Sequence, residues 1–266
     1  MISSCATNIL EVQNNVGDFS LAERQKINWR NGSFDLDAVL LRSIKPKPGM
    51  RFLDIACGNG HHTRLFMKKI SGEGFAAGID QSSSLIADAI SAAKDNLLNI
   101  SYQVALADDI PYKDTCFDIV TCNYALYHFP DIHAAIREML RVLVKGGKLI
   151  LSGPSSTNNS ELYEFHDRLG LTVEGKTGRE LFENEVRKFF ASSQEILNEE
   201  HYQNVVSFQS EQDFANYYQK TRLFTDHINK NNHDTIMQRI DDVVKEGSGQ
   251  FIGLNKKITL FEVTSE

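Results

Sequence analysis

Within the first 153 residues, five short apolar runs alternate with stretches whose apolar residues recur at helical spacing, and this leaves few folds open. Met50–Ala56 (MRFLDIA) reads as a buried strand after the Pro46–Gly49 turn. Phe75–Asp80 (FAAGID), Ile100–Leu106, Phe117–Asn123 (FDIVTCN) and Lys148–Ser152 (KLILS) read as four more strands. Between them, His62–Ile70 predicts a helix. Ser82, Ser83 and Ser84 offer N-caps to another, with Leu85, Ile86, Ala89, Ile90 and Ala93 at 3–4 spacing. From Asp131 to about Val144, Ile132, Ala135, Ile136, Met139, Leu140 and Leu143 share one face, and Gly146-Gly147 ends the helix. Such alternation means βαβ units with right-handed crossovers, so the expected class is α/β, a doubly wound, mostly parallel sheet with helices on both faces.

After residue 155 helical patterns dominate, at Ser160–Leu169, Gly178–Ala191, Gln212–Lys220 and Asp234–Lys245. Tyr202–Phe208 and Lys257–Val263 are strand-like and suit the sheet edge, which leaves the helices between them as a cover. Three segments follow: an N-terminal helical arm over 1–45, a main domain over 46–266, and a helical cover inserted at about 209–250.

Charge and composition narrow the function. With 28 basic and 35 acidic residues the formal charge is −7, against the excess of Lys and Arg that a phosphate-backbone partner demands. No nucleic-acid partner is expected; Lys68-Lys69 and Lys256-Lys257 read as solvated faces. No run approaches the ~18 apolar residues of a membrane helix, and the first twenty residues lack a basic start and an apolar core, so neither membrane insertion nor secretion is expected. Cys5, Cys57, Cys116 and Cys122 form no C-x-x-C pair, which fits a reducing, cytoplasmic setting. His128/His133 and His227/His233 are spaced too unevenly to align on a helix, so no metal site is expected.

The segment Leu53–His61 (LDIACGNGH) carries the most chemistry. An apolar strand runs into a small glycine-containing turn that opens a helix. Gly58 and Gly60 let backbone approach a ligand, and free N–H groups at the helix start attract a carboxylate or phosphate. In open α/β sheets the ligand crevice lies beyond the carboxyl ends of the strands. A nicotinamide site would need G-x-G-x-x-G, but the third glycine is absent here. Asp54 would also repel a pyrophosphate, whereas it suits a ligand bearing an ammonium group.

Asp54-x-Ala56-x-Gly58-x-Gly60 resembles the D-x-G-x-G-x-G motif of class I S-adenosylmethionine-dependent methyltransferases, with Ala56 in place of the first glycine. Gly78-Ile79-Asp80 resembles that family's second-strand end, and Ala107-Asp108-Asp109-Ile110-Pro111-Tyr112 its adenine loop. Phe117–Val120 followed by Leu126–Phe129 resembles its fourth strand and following turn; Leu140 and Lys145-Gly146-Gly147 followed by Leu149-Ile150 resemble its helix end and fifth strand. The match covers about 50–153. It implies a Rossmann-like seven-stranded sheet in the order 3-2-1-4-5-7-6, with one antiparallel edge strand from near the C-terminus. It implies S-adenosylmethionine as cofactor and S-adenosylhomocysteine as product. Gly58 and Gly60 would admit the methionine part beside Ala56, Asp54 would hold the ammonium, and Asp80, followed by Gln81, would take the ribose hydroxyls. Ala107 and Asp108 would read adenine, since the family's loop aspartate falls at Leu106. Asn123 would border the sulfonium. His128, and after it Tyr127, are the candidate bases.

Blander roles stand beside these. Asp80 could serve as a helix cap, Cys57 as a filler, and His61 and His62 as polar residues at a helix start. Phe214, Tyr217 and Tyr218 share a helical face, as core of the cover or as an aromatic wall for substrate. Trp29, with Asn28 and Arg30, lies in the N-terminal arm. The expected function is methyl transfer to an N, O or C nucleophile of a small organic molecule, as a monomer or homodimer. A methyltransferase for protein or RNA, a nicotinamide-dependent oxidoreductase and a non-catalytic S-adenosylmethionine-binding module are the alternatives.

Overall fold

The protein is described from a computed structural model, over residues 35–70, 74–96, 98–173, 177–191, 193, 195–229 and 231–265. Trp29 and its neighbours fall outside the described residues. In chain order the elements are α1 (Leu36–Ile44), β1 (Arg51–Ile55), α2 (His61–Ile70), β2 (Phe75–Asp80), α3 (Ser83–Asp95), β3 (Ile100–Val104), β4 (Phe117–Asn123), a 3₁₀ turn (Leu126–His128), α4 (Ile132–Arg141) and β5 (Leu143–Pro154). There follow α5 (Ser160–Arg168), α6 (Gly178–Phe190), β6 (Ile196–Ser207), α7 (Glu211–Tyr218), α8 (Arg222–Thr225), α9 (His233–Glu246) and β7 (Gly253–Thr264). Among the described residues no helix is long and apolar enough to cross a membrane.

The seven strands form one sheet in the order β3-β2-β1-β4-β5-β7-β6, as the resemblance implies. β1 pairs in parallel with β2 and β4, β2 with β3, and β4 with β5. β7 runs antiparallel to β5, with Leu149 opposite Val263 and Leu151 opposite Phe261. It sits one place in from the edge, which β6 occupies.

Local chemistry explains two of the helix starts. Ser82 caps α3 by accepting from the Leu85 N–H at 3.4 Å, and Asp131 caps α4 through the Ala134 N–H at 2.8 Å. Two departures concern α4 and β6. Gly146-Gly147 does not end the helix. α4 stops at Arg141, and the glycines lie inside β5, where Gly146 has φ +77° and the pairing with β4 shifts register between Phe117 and Ile119. A positive-φ glycine lets the strand bend and continue rather than stop. β6 begins at Ile196, six residues before the alternating run that announced it.

The chain divides into two compact units. Among the described residues one comprises 35–157, 177–202 and 257–265, and its core gathers Leu53, Ile79, Val120, Ile136, Leu149, Phe182 and Phe261 around the sheet. Its strand starts are locked by Arg51, whose backbone N–H and guanidinium both donate to Asp118. The other comprises 158–173 and 203–256 among the described residues. Its core is aromatic, with Phe165 at 5.0 Å from the rings of both Tyr218 and Phe251. Phe214, Tyr217 and Tyr218 are buried there, as core residues of that unit.

Candidate active site

The carboxyl end of β1 concentrates unusual backbone. Ala56, Gly58 and Gly60 have φ of 53°, 56° and 75°. This left-handed region is open to glycine but costs a residue with a Cβ about 1–2 kcal/mol. Ala56 therefore carries strain at the place where the resembled motif has glycine. The turn is closed by the Cys57 N–H on Ile79 O and the Gly60 N–H on Cys57 O, both at 2.9 Å.

The two glycines answer different needs. A Cβ on Gly60 would lie 2.3 Å from Tyr102 Oη and 3.0 Å from Ala89 Cβ, whereas one on Gly58 would meet nothing within 4 Å. Gly60 is required by packing; Gly58 leaves open space where a side chain would stand. Gly60→Ala is expected to destabilise the fold by at least ~2 kcal/mol, the left-handed penalty plus the clash. Gly58→Ala should cost only the backbone part. Thermal unfolding of the two variants checks the order.

Two acids flank this turn. Asp54, on β1, is 2 % exposed, and its carboxylate accepts from Thr121 Oγ1 at 2.7 Å and Thr63 Oγ1 at 3.3 Å. Burial raises its pKa above the ordinary aspartate range; the charge of His62 and the two threonine hydroxyls pull the other way. Asp80, at the end of β2, accepts from the Gly58 N–H and the Ser82 N–H, each at 2.9 Å, one on each oxygen. A carboxylate offers about four acceptor positions, so each oxygen of Asp80 keeps one lone pair for a ligand. The N-cap role goes to Ser82, not Asp80. Gln81 follows on the surface.

The remaining named residues lie at the carboxyl ends of β3 and β4 or on the segments that follow them. Ala107 and Asp108 form a turn bounded by the Leu106–Asp109 bridge; Asp108 and Leu106 are exposed. The chain just after this turn is clamped by a pair that the sequence reading left out. Glu138 accepts from the Ile110 N–H at 3.0 Å, and Arg141 donates to Ile110 O and Tyr112 O at 3.0 and 2.8 Å. Asn123 ends β4. Its Oδ1 accepts from Ser152 Oγ at 2.7 Å, while its buried Nδ2 has no hydrogen-bond partner among the described residues. Tyr127 and His128 stand on the 3₁₀ turn after β4, with ring centroids 4.4 Å apart. Tyr127 packs on Gly178, where a Cβ would meet its ring at 2.6 Å, while His128 is exposed. Cys57 is buried against Gly78; burial, with Asp54 and Asp80 nearby, raises its thiol pKa and keeps it protonated, as a filler.

Thr63 and Thr121 are the contacts of Asp54 that sequence reasoning missed. The one available signal was a hydroxyl interrupting the apolar run FDIVTCN.

A family profile described as "Methyltransferase domain" matches residues 46–239. The chain is 29 % identical over 157 residues to an uncharacterized methyltransferase, YcgJ, of Bacillus subtilis, covering 59 % of this chain and 61 % of the relative. It is 32 % identical over 152 residues to a ubiquinone/menaquinone biosynthesis C-methyltransferase of Shewanella frigidimarina, covering 56 % of this chain and 58 % of the relative. The chain thus spans little more than half the length of these curated relatives. The crystal structure of a putative methyltransferase from Bacillus halodurans superposes with a TM-score of 0.63 at 20 % identity, over 86 % of this chain and 98 % of that one. The YcgJ structure superposes at 0.60 with 20 % identity, over 86 % and 97 %.

Proposed function

Given that the chain belongs to the class I S-adenosylmethionine-dependent methyltransferases, we propose that it binds S-adenosylmethionine at the end of β1 and β2 and methylates an N, O or C nucleophile of a small organic molecule. The observation that carries the reading is the pairing of the buried Asp54 and the half-committed Asp80 around a turn that leaves open space on the side-chain face of Gly58. An acid beneath the turn suits a zwitterionic amino-acid tail and opposes a pyrophosphate. The donor and acceptor chemistry fits: Gly58 offers room, Asp80 two spare lone pairs, and Ala107 with Asp108 a turn for the adenine edge.

Bound S-adenosylmethionine supplies a methyl group already activated on a sulfonium. The chain's residues then have to bind, align and exclude water, and alignment alone can supply about 7–11 kcal/mol of a barrier. Asn123, at the end of β4, is assigned to the border of the reacting centre, where its unpaired Nδ2 can donate to an acceptor. His128, or Tyr127 beside it, takes a proton when the nucleophile carries one. The small-molecule reading is supported by the names of the relatives, which include C-methyltransferases of quinone biosynthesis and a demethylmenaquinone methyltransferase. The acidic charge adds support by disfavouring RNA.

The test is calorimetric titration with S-adenosylmethionine and with a nicotinamide dinucleotide, then S-adenosylhomocysteine release over a panel of phenols, quinols and amines. Saturable binding of the first alone, and turnover with one class, is expected. Binding of the dinucleotide, or salt-dependent RNA methylation, would overturn the reading. With a protonated nucleophile, His128→Ala is expected to slow turnover about 10²-fold at unchanged cofactor affinity. Equal turnover would make His128 structural.

A further inference from the structure

His61 and His62, the first two residues of α2, converge on Asp37 from the first turn of α1, 24 residues upstream. Asp37 Oδ2 lies 2.7 Å from His61 Nε2, and Oδ1 lies 3.4 Å from His62 Nε2. The two imidazole nitrogens and a carboxylate oxygen fall within 4.8 Å of one another. The rings are inclined at 69° with centroids 5.1 Å apart, so they approach one point from different directions instead of stacking. We propose that Asp37, His61 and His62 form a binding site for a divalent late-transition cation such as Zn²⁺, with water completing the coordination.

Two imidazoles and one carboxylate are a donor set suited to zinc, cobalt, nickel and copper, and not to magnesium or calcium, which prefer oxygen. Bonds of about 2.0–2.2 Å place neighbouring ligands of a tetrahedral ion about 3.3 Å apart. The two Asp37–imidazole distances, 2.7 and 3.4 Å, bracket that value, and the three donor atoms already lie within 4.8 Å of one another. The His61 side chain is 58 % exposed, which gives an ion a route from solvent and leaves positions for water. Among the described residues one other group has comparable spacing, Glu183, Glu199 and His201. There Arg187 bonds to Glu199 and lies 3.5 Å from Glu183, so a fixed cation already holds the carboxylates. An ion at Asp37, His61 and His62 would tie α1 to the helix that the glycine turn opens, a link separate from the methyl-transfer reading.

The test uses the untagged full chain, stripped with chelator, without S-adenosylmethionine or substrate. It is titrated with Zn²⁺ alone by calorimetry and with Co²⁺ alone by visible absorption. One equivalent is expected to bind, with a tetrahedral Co²⁺ spectrum. Affinity should fall at least tenfold in His61→Ala and in Asp37→Ala, and stay unchanged in His201→Ala. His61 is exposed, so its variant should fold, and circular dichroism checks that; if Asp37→Ala does not fold, His61→Ala decides alone. Absence of saturable binding, equal affinity in folded His61→Ala, or loss on His201→Ala would each overturn the site. None of these readings depends on methyl transfer, so the two proposals fail separately.

Discussion

Asp80→Ala is expected to weaken S-adenosylmethionine binding about 10²–10⁴-fold. Each hydrogen bond from a ligand hydroxyl to a charged acceptor contributes about 1.5–3 kcal/mol, and the ribose offers two. Together that is roughly 3–6 kcal/mol, at 1.4 kcal/mol per decade of affinity. The same carboxylate also accepts the Gly58 and Ser82 N–H groups, so the substitution loosens the turn that the ligand would meet. Calorimetric titration of wild type and variant reads the first effect, and thermal unfolding of the unliganded proteins reads the second. Affinity within a few-fold of wild type, in a folded variant, would remove Asp80 from the site.

Asp54→Asn should move stability and binding in opposite directions. Burial raises the folded-state pKa of Asp54 above its ordinary value, more than the His62 charge and the Thr121 and Thr63 hydroxyls lower it. A carboxyl whose folded pKa is raised contributes stability below its unfolded pKa, and that contribution is lost as pH rises through the folded value. At neutral pH the charge of Asp54 therefore opposes folding. Asparagine keeps the volume and an acceptor for Thr121 while removing that charge. The unliganded variant is expected to gain about 0.5–2 kcal/mol at neutral pH, the scale of gains seen when a functional strain is relieved. The gain should shrink as pH falls toward 4. S-adenosylmethionine affinity should drop at least tenfold, because the charge facing the ammonium is gone. Thermal unfolding against pH, with titration at pH 7.5, tests both halves. A variant less stable than wild type at neutral pH would mean that Asp54 serves packing rather than binding.

What the sequence determined by itself is what short-range physics controls. Residues 75–80 and 117–123 were legible as strands because a strand buried on both faces is rich in apolar residues. The cap at Ser82 was legible because a helix start needs a side-chain acceptor. The glycine turn after β1 was legible because only residues without a Cβ sit easily at positive φ, and Ala56 shows how far that rule bends. The sheet order came through the family resemblance, not from local pattern. Tertiary structure alone decided which polar groups meet. Thr121 reaches Asp54 across 67 residues of chain, Glu138 reaches Ile110 across 28, and Asp37 reaches His61 across 24. It also decided that Gly146-Gly147 bends a strand instead of ending a helix, since the pairing of Leu143 with Phe117 outweighs the local stop signal. Spacing along the chain encodes which face a residue occupies. Which distant face it opposes is settled only when the helices and strands pack.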